Sequence, residues 1–156
     1  LFKRSPLMFA ADGGHLHIVN YLPKRGANVN LVDGDKDTAL LLSVRKGHSG
    51  IVQSLINNGA DANVRDKNSN TVLWIAVEKN YRECVKFLLQ AGADANIRDS
   101  RTGYPVLLIA VEKKYIDCVR MLAQAGADVN GQSNAHETAL HYAVENSNID
   151  CVRLLL

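Results

Sequence analysis

The chain has 156 residues, 47% hydrophobic and 22% charged, and 18 Lys and Arg against 16 Asp and Glu leave a net charge of +2. That profile belongs to a folded globular chain and excludes a disordered one. Near-balance of charge excludes a general nucleic-acid binder, which needs a basic excess on one face, and apolar runs of about six residues, such as Val106 to Val111, exclude insertion into a bilayer by a helix of ~20.

The opening Leu1-Phe2-Lys3-Arg4-Ser5-Pro6 lacks the basic-then-apolar order of a secretory signal and has no initiator Met. The close, Leu154-Leu155-Leu156, leaves three apolar residues without a polar stop. Both ends read as cuts, so the parent protein is expected to continue on either side.

Between them the sequence is periodic. Gly-Ala-(Asp/Asn)-x-Asn begins at Gly26, Gly59, Gly92 and Gly126, at spacings of 33, 33 and 34. A small residue after an apolar run keeps step at Ala10, Ser43, Ala76, Ala110 and Ala143. One residue is inserted between Gly92 and Ala110, and the polar stretch Asp99-Ser100-Arg101-Thr102-Gly103-Tyr104 is where a loop accepts it most easily.

Each unit reads as two helices and a turn. In the unit from Thr71 to Gly103, Thr71 is the expected N-cap of a short helix over Val72 to Lys79, with a break at Asn80-Tyr81. A second helix over Arg82 to Ala91 ends where Gly92 supplies a left-handed cap. Asn96 and Asp99 are expected to hold a polar, hairpin-like finger through local side-chain to backbone bonds. One such unit cannot bury enough apolar surface to offset the entropy of ordering it. Neighbours must therefore cover the other faces of residues such as Leu73, Ile75, Val85, Leu88 and Leu89, which makes the array a stack.

Ser5-Pro6-Leu7-Met8-Phe9-Ala10-Ala11, Gly14-His15, Ile18-Val19 and Gly26-Ala27-Asn28-Val29-Asn30 follow one another as the segments of the ankyrin repeat do, and the chain resembles that family over almost its whole length. The resemblance implies an all-α, L-shaped ankyrin-repeat solenoid of helix-turn-helix units joined by β-hairpin-like fingers. It implies a single domain over 1–156, with repeats at about 5–37, 38–70, 71–103, 104–137 and 138–156, and a concave groove lined by inner helices and fingers. Three departures stand out. The His that usually bonds a loop survives only as His141, replaced by Met8, Leu41, Trp74 and Leu108. Lys36, Ser69 and His136 replace the finger-tip glycine kept at Gly103, which puts the tight tip turn in question. Pro23 falls near the end of the first unit's second helix, where it deletes a bond to the Val19 carbonyl and makes that unit the weakest.

Reactive residues do not assemble into chemistry. Cys84, Cys118 and Cys151 share one repeat position on a core face, and a helix-packing distance of roughly 8–10 Å between units is too long for a disulfide. Three unpaired core thiols fit a reducing compartment, cytoplasm or nucleus. His15 and His17 have no thiolate or carboxylate at ligand spacing, so no metal is expected. No nucleophile-base set and no phosphate loop can be built, since Asp12-Gly13-Gly14 follows a helix where a phosphate cradle would precede one. No catalytic activity and no cofactor are expected.

The groove positions that the resemblance implies are the candidate site. Arg45-Lys46, Glu78-Lys79, Glu112-Lys113 and Glu145 end the inner helices and stack as an acidic ladder beside a basic one. Arg65, Arg98 and Gln132 precede the fingers, which add Lys67, Asn70, Arg101 and Tyr104. Either the Glu and Lys ladders pair with each other on a solvated face, or they form a charge-matched slot, with Arg65, Arg98, Arg101 and Tyr104 as the strongest anchors. Trp74 either fills core in place of the usual His or opens to the groove with Leu41, Leu108 and Tyr104 as an apolar anchor. The expected function is a monomeric, non-enzymatic interaction module, an adaptor or scaffold taking a peptide or helical segment of another protein. A regulatory domain of a larger enzyme or channel, docking in cis or sensing a small ligand, is the alternative, and a structural spacer a third.

Overall fold

A computed structural model describes residues 4–156; Leu1, Phe2 and Lys3, which open the segment read above for a signal, lie outside the described residues. The inner helices α1 (Pro6–Asp12), α3 (Ala39–Lys46), α5 (Val72–Glu78), α7 (Val106–Glu112) and α9 (Ala139–Glu145) alternate with the outer helices α2 (Leu16–Tyr21), α4 (Ser49–Asn57), α6 (Arg82–Gln90), α8 (Ile116–Gln124) and α10 (Ile149–Leu155). Inner packs on inner and outer on outer along the chain, and each inner helix packs on the outer helix that follows it. Among the described residues there is no strand, only the isolated antiparallel bridges Arg65 to Thr71 and Arg98 to Pro105 at the necks of two fingers.

Local chemistry sets these boundaries. The hydroxyls of Ser5, Thr38 and Thr71 accept the N–H of Met8, Leu41 and Trp74 at 3.2, 3.1 and 3.1 Å, which caps three inner helices. In the fourth unit Pro105 takes the cap position and offers no side-chain bond. Left-handed glycines close the outer segments, Gly26 after a 3-10 turn and Gly59, Gly92 and Gly126 just past α4, α6 and α8, all with φ between 82° and 86°. A Cβ there would meet no atom within 4 Å, so backbone conformation and not space demands glycine. Between inner and outer helix the turn also passes through left-handed residues, Asn80 (φ 56°), Lys114 (φ 58°) and Ser147 (φ 51°) among them.

The inner layer is the core. All six residues from Ala39 to Val44 and all six from Val106 to Val111 are buried, because outer helices and both neighbouring units cover every side. The exposed large apolar residues, by contrast, sit in the end units: Phe9, Leu16, Ile18, Tyr21, Leu31 and Val32 in the first, Val144, Ile149 and Leu156 in the last.

Two expectations change. Lys36, Ser69 and His136 hold φ of 62°, 65° and 62°, so the tight finger tip survives without glycine. The finger Asp or Ser enforces it by accepting two backbone N–H groups, an arrangement strong enough to offset the ~1–2 kcal/mol that a left-handed side chain costs. Pro23 lies beyond the second helix: α2 stops at Tyr21, and Pro23 opens a 3-10 turn over Pro23–Arg25, leaving α2 six residues long where α4, α6 and α8 have nine. The inserted residue lies in the finger. Asp66 N–H bonds the Asn70 carbonyl four residues on, whereas Asp99 N–H bonds the Tyr104 carbonyl five residues on.

Candidate functional site: fingers and inner-helix ends

The Gly-Ala-Asp-x-Asn motif proves to be a coupling device. Asn63 donates its amide to the Gly92 carbonyl at 3.3 Å and accepts the Asp94 N–H at 3.0 Å, tying its unit to the next. Asn30 does the same to Gly59 and Asp61, and Asn96 to Gly126 and Asp128. The Asn96 side chain thus bridges units; the expectation that it holds its own finger is corrected.

Asp99 holds its own finger as expected, and it is one member of a column at the finger base. Asp33, Asp66 and Asp99 are buried, and one oxygen of each collects backbone N–H groups of its own finger: Asp35 and Asp37 on Asp33, Asn68 and Asn70 on Asp66, Arg101 and Thr102 on Asp99. Ser133 Oγ does this in the last finger, taking Ala135 and Glu137 N–H. Burial pushes the Asp99 carboxyl up, but the bonds from Thr102 and Arg101 outweigh it and hold the group below its ordinary value. The signal available in the sequence was recurrence, Asp33, Asp66 and Asp99 at 33-residue intervals.

Arg45 is an internal brace. Its guanidinium binds Asp37, which closes the preceding unit, and, at 3.3 Å, Asp66 at the base of its own unit's finger. Burial lowers its pKa, and Asp37 and Asp66 outweigh that, so it stays charged. At the first finger Arg4 plays the matching role, between Asp12 at 3.0 Å and Asp33 at 3.3 Å.

The other candidate positions divide into occupied and open. Arg65 donates to the Ser69 carbonyl at 2.9 Å, and Arg98 donates to the Gly103 and Gln132 carbonyls, both at 2.9 Å, so both guanidinium groups clamp fingers. Lys67 pairs with Asp35 at 3.2 Å in an exposed contact, and Lys46 reaches Asp12 only at 3.9 Å. Asn70 accepts from Ser100, and the Gln132 amide oxygen lies 3.3 Å from His136. Lys113 bonds the Glu78 carbonyl at 3.4 Å and not its carboxylate. Lys79, Arg101, Glu112 and Glu145 are exposed and Glu78 is half-buried. Among the described residues Glu78, Glu112 and Glu145 form no ion pair; where the ladders were read as pairing on a solvated face, the observed pairs are Arg45, Arg4 and Lys46 with aspartates.

Leu41 and Leu108 are fully buried, at 0% and 1% exposure, and do not reach the surface. An apolar groove anchor made with them is therefore excluded. Trp74 alone in that column is half-buried, with its indole N–H enclosed and without an acceptor. Tyr104 packs edge-on against Tyr142 at 6.3 Å and accepts its hydroxyl at 3.3 Å, a bond that, with burial and Glu137, raises the Tyr142 pKa. Where His141 keeps the usual residue, its Nδ1 lies 2.9 Å from the Thr138 hydroxyl; in the first unit Met8 Sδ accepts the Ser5 N–H instead.

Cys84, Cys118 and Cys151 are free and buried. Burial, with Glu83 and Asp117 adding repulsion, raises the Cys84 and Cys118 thiols to about 11, and burial with Asp150 raises Cys151. Among the described residues no three His, Cys, Asp or Glu side chains gather as a metal set, and no helix is long and apolar enough to cross a membrane.

Stacked helix pairs joined by polar fingers, with side chains at fixed intervals binding each unit to the next, define a repeat solenoid. A family model described as ankyrin repeats (3 copies) matches residues 7–99, and one described as ankyrin repeats (many copies) matches 107–156. The chain belongs to the ankyrin-repeat family. The two matches leave uncovered the finger that carries the extra residue. A comparison with curated proteins gave no match. Ankyrin repeats are generally protein-protein interaction modules.

Proposed function

We propose that this chain is a non-enzymatic recognition module, an adaptor or scaffold of the cytoplasm or nucleus, that holds a peptide or helical segment of another protein along the face made by the inner-helix ends and fingers. One observation carries the proposal. At the inner-helix ends of the first two units Asp12, Arg45 and Lys46 are engaged in ion pairs within the chain, while the third to fifth units present Glu78, Lys79, Arg101, Glu112 and Glu145 with no ion pair among the described residues. Tyr104 and Trp74 stand among them, half-buried. Aromatic and Arg side chains are the residue types that most often dominate binding energy. Arg65 and Arg98 contribute by fixing finger shape.

The test is affinity capture from cytosolic extract with three versions of the chain: the parent, one with Lys79, Arg101 and Tyr104 changed to Ala, and one with exposed outer-helix residues Lys86 and Arg120 changed to Ala. A protein kept by the parent and the outer-helix variant and lost by the groove variant supports the proposal. Equal recovery by all three moves binding off this face, toward the cis-docking or spacer alternatives.

A further inference from the structure

The third finger lacks an arginine that the first two possess. In the first unit Arg4, from the residue before the helix cap, reaches the outer oxygen of Asp33; in the second, Arg45, from the end of the inner helix, reaches the outer oxygen of Asp66. Two different sequence positions thus deliver a guanidinium to one structural place. The third repeat of that place is Asp99, 5% exposed, whose inner oxygen takes the Arg101 and Thr102 N–H groups and the Thr102 hydroxyl. Its outer oxygen has no hydrogen-bond or ion-pair partner within the chain among the described residues. The residue matching Arg4 is Asn70, and the residue matching Arg45 is Glu78. Nearby cations do not fill the gap: Lys113 is held by the Glu78 carbonyl, and Arg101 acts on Asp99 through space without an ion pair within 4 Å.

Beside this gap Trp74 lies four residues before Glu78 on α5, hence on the same helix face. A planar aromatic on the helix face that carries Glu78 suits a guanidinium, which stacks and forks at once, and suits an ammonium less. Glu112 and Glu145 recur at the position of Glu78 on the following inner helices, beside Lys79 and Lys113.

We propose that an arginine of the partner segment takes the place beside Asp99 that Arg45 takes beside Asp66, on the side of α5 that carries Trp74 and Glu78, so that the module selects arginine-bearing segments. The inference deepens the reading of this face as a partner groove and rests on it.

Hexa-arginine and hexalysine, each with a fluorescent label, are titrated into the full chain at low salt and read by anisotropy. Hexa-arginine is expected to bind at least tenfold more tightly than hexalysine, and Glu78→Gln to lose most of that preference with its melting temperature within a degree or so of the parent. Glu78→Arg supplies the missing group from within: it is expected to raise the melting temperature by several degrees and to cut hexa-arginine binding more than tenfold. Glu112→Arg, facing a finger based on Ser133, is expected not to raise it. Equal affinity for the two peptides, or Glu78 variants that bind hexa-arginine as the parent does, would overturn the inference. If the Glu78 variants are inert while a captured protein still needs Arg101 and Tyr104, the groove stands and the arginine falls.

Discussion

Arg45 and Asp66 lie 21 positions apart, yet the guanidinium of one stands 3.3 Å from the carboxylate of the other while its second arm holds Asp37 of the preceding unit. The contact fixes where the second finger stands relative to the helix before it. Both carboxylates are buried, so removing the arginine strands two charges that it alone pairs among the described residues. Arg45→Ala is expected to destabilise the chain by about 2 kcal/mol or more in urea denaturation; a loss under ~0.5 kcal/mol would show that the brace is decorative.

The Asn63 amide carries two bonds between units, to Gly92 and Asp94. Asn63→Ala is expected to cost about 1–2 kcal/mol and to speed amide exchange at Asp94 in the following unit. Exchange unchanged at Asp94 would contradict the coupling.

Ser69 holds φ 65° at a finger tip where glycine has no steric penalty. Ser69→Gly is expected to stabilise by roughly 0.5–1 kcal/mol. Gly103→Ala is expected to destabilise, since its φ is 70° and a new Cβ would lie 3.1 Å from Asn134 Oδ1. Calorimetric melting of both variants checks the pair of signs.

The thiols set an alkaline limit. Cys84 and Cys118 titrate near 11 in the folded chain, above the value of about 9 they have when exposed. A raised folded-state pKa means that the folded chain holds protons the unfolded chain has released. Stability is then full below pH ~9 and falls as pH rises toward 11, by on the order of 2 kcal/mol for each thiol. Cys84→Ala is expected to flatten that slope, and the native protein to react slowly with thiol reagents at neutral pH. Rapid labelling of Cys84 or Cys118 would place them outside the core.

The helix pairs, the Thr71 cap, the break at Asn80 and the position of the extra residue were legible in the sequence, because each follows from 3.6-residue spacing or from one residue's local chemistry. The roles of Asn63 and Arg45 were not. Each acts on a residue some 20 to 31 positions away, and spacing shows that a residue recurs without showing what it touches. Arg65 and Arg98 illustrate the limit: their position before the fingers was visible, but not that backbone carbonyls occupy both guanidinium groups. The tip turns misled for a related reason, since Asp66 several positions away stabilises a conformation that Ser69 by itself disfavours.

Hydrogen-deuterium exchange on the full chain, with and without a protein that it captures, tests the central claim most directly. Protection is expected over the fingers around residues 66–70 and 99–104 and at the ends of α5 and α7, with the outer helices α6 and α8 unchanged. Protection confined to α6 and α8 would contradict it and place the partner on the opposite face.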